Sequence, residues 1–251
     1  MTLSRLLIEQ TGDIKPDKAS LPTMYDLPSE DPEETGLPDE FHDLQPQLLS
    51  ATLRLTDVKS DRFFTGTDLN IYYDLQNLGW YKRPDWFLAI GVPRLYDERD
   101  MRMSFVVWDE GVSPSVIVEL LSEGTEKEDL GLTESQPGKA PTKWEVYEQI
   151  LKVPNYIVYD RYKDVLRAYR LIQGKYQALE IEAERIWIPE LNAGLGLWQG
   201  EYQGITRKWL RWVGDRGNWF PTPEENWVEA EAKAARLAQR LRELGIDPDE
   251  V

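Results

Sequence analysis

Two carboxylates stand where carboxylates are costly. Asp85 lies in Arg83-Pro84-Asp85-Trp86-Phe87-Leu88-Ala89-Ile90-Gly91-Val92, and Glu119 lies in Pro114-Ser115-Val116-Ile117-Val118-Glu119-Leu120-Leu121. Both runs read as buried strands. An ionised carboxylate among apolar neighbours needs a cation, a donor or a proton to offset its lost hydration. Two such positions on successive strands point to a shared partner, and one divalent metal ion satisfies both. The chain has no Cys and a single His, His42, so it offers neither thiolate ligands nor a cluster of imidazoles. Oxygen ligands remain, and these favour Mg²⁺ or Mn²⁺ over Zn²⁺.

Holding these side chains takes a scaffold, and the apolar spacing outlines one. Residues up to Gly36 are rich in Pro, Asp and Glu and have weak periodicity, as expected of an extended acidic arm. Phe41, Leu44, Leu48 and Leu49 then fall near helical spacing after Pro38 and Asp39, predicting a first helix that Pro46 disturbs. Strands are predicted over residues 62–65, 68–73, 84–92, 105–108 and 116–121, followed by an acidic loop to residue 140 with a short helical turn. Pro141 opens a helix to about Lys152, on which Lys143 and Tyr147 stack at i, i+4; Val153-Pro154 stops it. Strands over 155–160, 165–171 and 176–181 come next.

Between residues 202 and 220, Arg207, Lys208, Arg211 and Arg216 alternate with Trp209, Trp212 and Trp219. Such a block either seals a late hairpin onto the core or binds single-stranded nucleic acid by stacking and charge, with Arg207, Lys208 and Arg211 as the contacts. Thr222-Pro223-Glu224-Glu225 is a helix-start signature, and this last helix closes at Gly245. Its apolar stripe, Leu237, Leu241 and Leu244 with Ala230, Ala234 and Ala238, is too narrow for a core helix. The stripe suits pairing with a partner, a second copy included and so a homodimer; the other reading is a solvated helix laid on the body.

With 251 residues, 41% hydrophobic and 11% aromatic, the chain is expected to form one generous domain with extensions. No apolar run of spanning length and no secretory leader is visible, so a cytoplasmic protein with no membrane partner is expected. The net charge of −16 argues against a polyanionic substrate, yet residues 1–50 carry −8 of it and residues 223–251 carry −4. Only −4 is left for the middle of the chain, where the two carboxylates lie.

In order and spacing, His42 on the first helix, Arg83-Pro84-Asp85, Val118-Glu119-Leu120-Leu121-Ser122 with Thr125 and Asp129, Lys143 with Tyr147, and Val153-Pro154-Asn155-Tyr156-Ile157-Val158-Tyr159-Asp160 resemble one family. It is the Uma-type family of proposed restriction endonucleases, a branch of the PD-(D/E)XK nuclease superfamily. The resemblance covers residues 35–195. It implies an α/β (α+β) fold with a restriction-endonuclease-like mixed central sheet flanked by helices. The chain would then divide into the acidic N-terminal arm (1–36), the core (37–200), a Trp/Arg-rich extension (201–221) and a C-terminal amphipathic helix (222–251).

The resemblance further implies a Mg-dependent endonuclease that hydrolyses phosphodiester bonds of DNA and needs no small-molecule cofactor. Asp85, Glu119 and the backbone carbonyl of Leu120 would hold Mg²⁺ (or Mn²⁺), and a Lys would orient a water and neutralise charge on phosphorus. The superfamily places that Lys two residues after the Glu, where this chain has Leu121; the family resemblance places it on the following helix, at Lys143. Lys127 and Lys139 are the other lysines in reach. His42 is expected near the cleft and Tyr147 as an accessory or packing residue. Glu33, Glu34 and Glu40 are candidates for a further carboxylate, Glu34 first among them. The alternative is a catalytically weak or inactive nuclease fold that serves as a binding or assembly module through its C-terminal helix.

Overall fold

A computed structural model describes residues 21–23, 26, 40–122 and 126–248. Apart from residues 21–23 and 26, the acidic arm lies outside the described residues, Glu33 and Glu34 included. Helix α1 (Glu40–Thr52) leads into strands β1 (Phe63–Thr67), β2 (Ile71–Tyr72), β3 (Tyr81–Lys82), β4 (Trp86–Ile90) and β5 (Phe105–Val106). A short helix α2 (Val107–Glu110) precedes β6 (Val116–Leu120), followed by helices α3 (Glu126–Asp129) and α4 (Lys143–Glu145), the latter continuing as a π-helical turn over Val146–Ile150. Strands β7 (Asn155–Asp160), β8 (Val165–Ile172), β9 (Lys175–Ala178), β10 (Arg185–Ile188), β11 (Ala193–Tyr202) and β12 (Ile205–Val213) come next, and helix α5 (Pro223–Glu243) ends the order.

The fold is mixed α/β. Its principal sheet has six strands in the order β1-β4-β6-β7-β8-β9, in which only the β6–β7 pair is parallel. Two three-stranded sheets, β10-β11-β12 and β3-β2-β5, flank it. All five residues of β6 are buried, because layers cover both faces of the central strands. On one face Val116, Val118 and Leu120 pack with Phe41, Leu48 and Leu49 of α1 and with Leu195, Trp209 and Trp212. On the other, Ile117 and Leu121 pack with Phe87, Val146, Tyr147 and Tyr156.

The first helix forms through Pro46 without interruption. Past the predicted strand start at Phe105, the chain turns helical at Val107 and stops at Gly111, whose φ of 72° suits glycine. Tyr96 donates to Asp109 and Arg102 pairs with Glu110, so side-chain bonds hold this turn where residues 105–108 were expected to stay extended. The long strand β11 was not legible, since Ala193-Gly194-Leu195-Gly196 has little β propensity. Its glycines answer to packing: a Cβ on Gly194 would lie 2.5 Å from the carbonyl oxygen of Ile186. The β11–β12 hairpin runs across the expected boundary at residues 200 and 201. Among the described residues no helix is long and apolar enough to cross a membrane.

Candidate active site

The antiparallel register of β4 and β6 sets Trp86 opposite Val118 and Phe87 opposite Ile117. Continued by one residue, that register puts Asp85 opposite Glu119, and directly opposed residues of an antiparallel pair project from the same face. Glu119 shares its parity with Ile117 and Leu121, so it points toward α4. The two residues interlock through the backbone as well. Asp85 Oδ2 accepts from the Leu120 amide at 2.6 Å, and the Asp85 amide lies 3.4 Å from Glu119 Oε2.

Lys143 and Tyr147, one turn apart, both reach Glu119. Lys143 Nζ lies 3.2 Å from Glu119 Oε2, and the Tyr147 hydroxyl donates to Glu119 Oε1 at 2.8 Å. A reciprocal capping box between Thr142 and Glu145 starts α4 and so fixes where Lys143 begins its reach. Lys127 and Lys139 are exposed, so the structure brings Lys143 to the carboxylates and leaves the other two lysines outside.

Asp129 completes the cluster, and the sequence reading did not select it as a site residue. It is 1% exposed, sits at the end of α3 and accepts from Lys143 Nζ at 2.8 Å, while its carbonyl accepts from the Tyr156 hydroxyl at 2.8 Å. Next to it, Glu128 accepts from the Lys143 amide and from Lys82 Nζ, joining β3, α3 and α4 around the site. The i+4 pairing of Lys143 and Tyr147 marks a helix face turned to the sheet; for Asp129 the signal was its place in the family motif after Ser122, since its acidic neighbours Glu126 and Glu128 are of the same type.

The electrostatics follow from this packing. Burial pushes the fully buried Glu119 well above its ordinary range, against the pull of Lys143, and the nearby Asp129 and Asp85 carboxylates push it further. Asp85 is also raised, by burial first, with Lys143, the Leu120 amide and His42 opposing. Burial works against the Lys143 ammonium, but Glu119, Asp129 and Asp85 outweigh it and raise its pKa. Lys143 is therefore a permanent cation at neutral pH, a donor and not a base. Three carboxylates face this one ammonium, and in their ionised forms they leave the cluster with an uncompensated double negative charge.

On the opposite face of the sheet, His42 of α1 lies with Nε2 3.0 Å from the Leu120 carbonyl oxygen. A carbonyl oxygen has two lone pairs, so this contact leaves one for a further partner. Among the described residues no group of three or more His, Cys, Asp or Glu side chains is arranged to hold a metal ion. The donor set available is two carboxylates, Asp85 and Glu119, with one carbonyl. This fits Mg²⁺, which binds through one or two carboxylates and keeps several waters.

Of the remaining expected residues, Glu40 is exposed at the start of α1 and lines a groove of about 310 Å³ with Phe41, Leu44, Arg161, Ile205, Arg207 and Trp209. The Arg207 and Arg161 guanidinium carbons lie 4.4 Å and 4.9 Å from the centroid of the Phe41 ring. Lys208 is tied to Glu184. Arg211 departs from the expected nucleic-acid contact: its side chain is 2% exposed, donates to the Phe220 carbonyl, pairs with Glu225 and lies over Trp198. It faces inward because β12 is covered on both sides from Trp209 to Val213.

The profile of one family, Uma2, described as "Putative restriction endonuclease", matches residues 20–206. A crystal structure of a "putative nuclease belonging to DUF820" from Anabaena variabilis ATCC 29413 is similar with a TM-score of 0.40 and 14% identity. The similarity covers 62% of this chain and 76% of that one. No curated protein matches the chain.

Proposed function

This chain belongs to the Uma2 family of restriction-endonuclease-type proteins, and from that premise together with the charge cluster we propose that it is a Mg²⁺- or Mn²⁺-dependent endonuclease that hydrolyses phosphodiester bonds of DNA. The observation that carries the reading is the imbalance of three carboxylates against one ammonium at a desolvated strand end. A divalent cation supplies the missing double positive charge, and the family supplies the chemistry such a cation serves.

Asp85, Glu119 and the Leu120 carbonyl would hold the ion, which when bound polarises a phosphate oxygen and a water. Tyr147 keeps Glu119 from turning away by donating to its second oxygen. Asp129 and Glu119 engage two of the three protons of the Lys143 ammonium, and the third would serve an attacking water and the charge that builds on phosphorus. His42 fixes the peptide that carries the Leu120 carbonyl. A phosphate flanking the site would meet Arg207 in the groove on the α1 side of the sheet.

The test is cleavage of a panel of single- and double-stranded DNA by the purified chain with Mg²⁺ or Mn²⁺, alongside direct calorimetry of Mn²⁺ binding. The reading expects cleavage that chelation abolishes, and one Mn²⁺ bound in the native chain but not in Asp85→Ala. A chain that binds no divalent ion and cuts none of the panel refutes it and leaves the assembly reading in place.

A further inference from the structure

We propose that α5 pairs in antiparallel orientation with the same helix of a second copy of this chain. Trp227, Ala230, Ala234, Leu237, Leu241 and Leu244 follow one another at alternating spacings of three and four residues, the a/d pattern of a coiled-coil seam. None of the residues of α5 is buried; Trp227 is 65%, Leu237 57% and Leu244, just past the helix, 67% exposed. A row of apolar side chains kept in water over the length of a helix marks an interaction surface. Its root is firmly set: the Thr222–Glu225 capping box starts the helix, and Glu225 is bonded to the buried Arg211. α5 therefore leaves the body in a defined direction.

A second copy is the occupant that charge and size both select. The first half of the helix carries Glu224, Glu225, Glu229 and Glu231 with no basic residue; the second half carries Lys233, Arg236, Arg240 and Arg242 with Glu243 as its one acid. Two copies laid head to tail bring the acidic half of each beside the basic half of the other, and their helix dipoles oppose. In the register centred between Ala235 and Arg236, Trp227 meets Leu244 of the partner, Ala230 meets Leu241 and Ala234 meets Leu237. The inner layers then each set a small side chain against a large one, which keeps the two axes evenly spaced. A parallel pair would stack Trp on Trp beside two layers of Ala on Ala, and no single spacing fits both. Lys233 and Arg240 of the two copies approach on the flank of the antiparallel seam, a like-charge contact at an exposed position that solvent screens.

Sedimentation equilibrium of the full chain at micromolar concentration tests the pairing. The expected result is twice the chain mass, falling to the single-chain mass in Leu237→Glu/Leu241→Glu with an unchanged near-ultraviolet signal from the buried Trp209 and Trp212. Because the chain has no Cys, introduced cysteines report orientation directly. Ala230→Cys with Leu241→Cys should form an interchain disulfide on oxidation, whereas Ala230→Cys alone should not. A native chain at single-chain mass, a double glutamate variant that keeps twice the mass, or a disulfide in the Ala230→Cys protein overturns the proposal.

Discussion

Two buried charge clusters in this molecule differ in how they are balanced. Arg102 and Glu110 form a closed pair: Nε and Nη2 of the guanidinium meet both carboxylate oxygens at 2.6 and 3.0 Å, and the remaining donors reach the Arg94 and Pro93 carbonyls. Their side chains are 1% and 6% exposed and carry no net charge together. Around Lys143, by contrast, one ammonium serves Asp85, Glu119 and Asp129. A closed pair fastens the Pro93–Glu110 segment to itself; in the open cluster burial raises both Glu119 and Asp85, so each carboxylate favours taking up a proton or a cation. That contrast separates a structural use of buried charge from a candidate site.

The sharpest way to break the contrast is Asp85→Asn. Asparagine can still accept from the Leu120 amide, but it removes one negative charge beside Glu119. DNA cleavage should fall to background while the denaturation midpoint stays level or rises, because the cost of burying the Asp85 charge is removed and outweighs its lost attraction to Lys143. A large loss of stability in this variant would mean that the cluster is already neutral and structural.

Arg102→Ala should do the reverse. Leaving Glu110 buried without its partner is expected to cost about 3–5 kcal/mol of unfolding free energy, read from urea titration. Divalent-ion binding by the molecules that remain folded should be unchanged, since the bonds of this pair go to Arg94 and Pro93 and to none of the cluster's residues. An effect below about 1 kcal/mol would place the pair with exposed ion pairs and remove the comparison's structural arm.

How much of this was legible in the chain follows from the same distinction. Asp85 stood out at the head of an apolar strand and Glu119 because it interrupts one, and Lys143 with Tyr147 because four residues put them on one helix face. Asp129 stood in the family motif without a role of its own: it sits in an acidic loop beside Glu126 and Glu128, and only tertiary packing buries it and brings it to Lys143. Arg211 misled for the converse reason. Its position among Trp residues has the composition of a nucleic-acid surface, while its inward direction depends on β11, which glycines hid from propensity. Charge at a position is local information; whether it is balanced is set by segments far away in the chain.

Arg207 sharpens the contrast from the surface side, since it makes no ion pair among the described residues and Arg211 does. Arg207→Ala should weaken DNA binding measured in Ca²⁺ by several-fold and lower the slope of log affinity against log salt by about 0.9, the loss of one phosphate contact. Arg211→Ala should leave that slope unchanged and lower stability instead. Equal effects of the two on the slope would contradict the inward placement of Arg211.

The smallest expected effect concerns the half-exposed partner of Arg211. Glu225 is held below its ordinary carboxylate value of 4.5; burial opposes this, and bonds from Arg211 and the Thr222 amide overcome it. A carboxylate with a depressed folded pKa stabilises the native state fully above its unfolded value, and that contribution fades as pH falls through the folded value. Native chain and Glu225→Gln should therefore differ most at neutral pH and converge below pH 4.5. Glutamine keeps an acceptor for the Thr222 amide, so the capping box survives and the difference isolates the charge. At 45% exposure solvent screens the pair, which limits the difference at neutral pH to about 1 kcal/mol or less. A gap that instead widens on acidification would reverse the sign of the argument and show that Glu225 is strained, not held, where β12 meets α5.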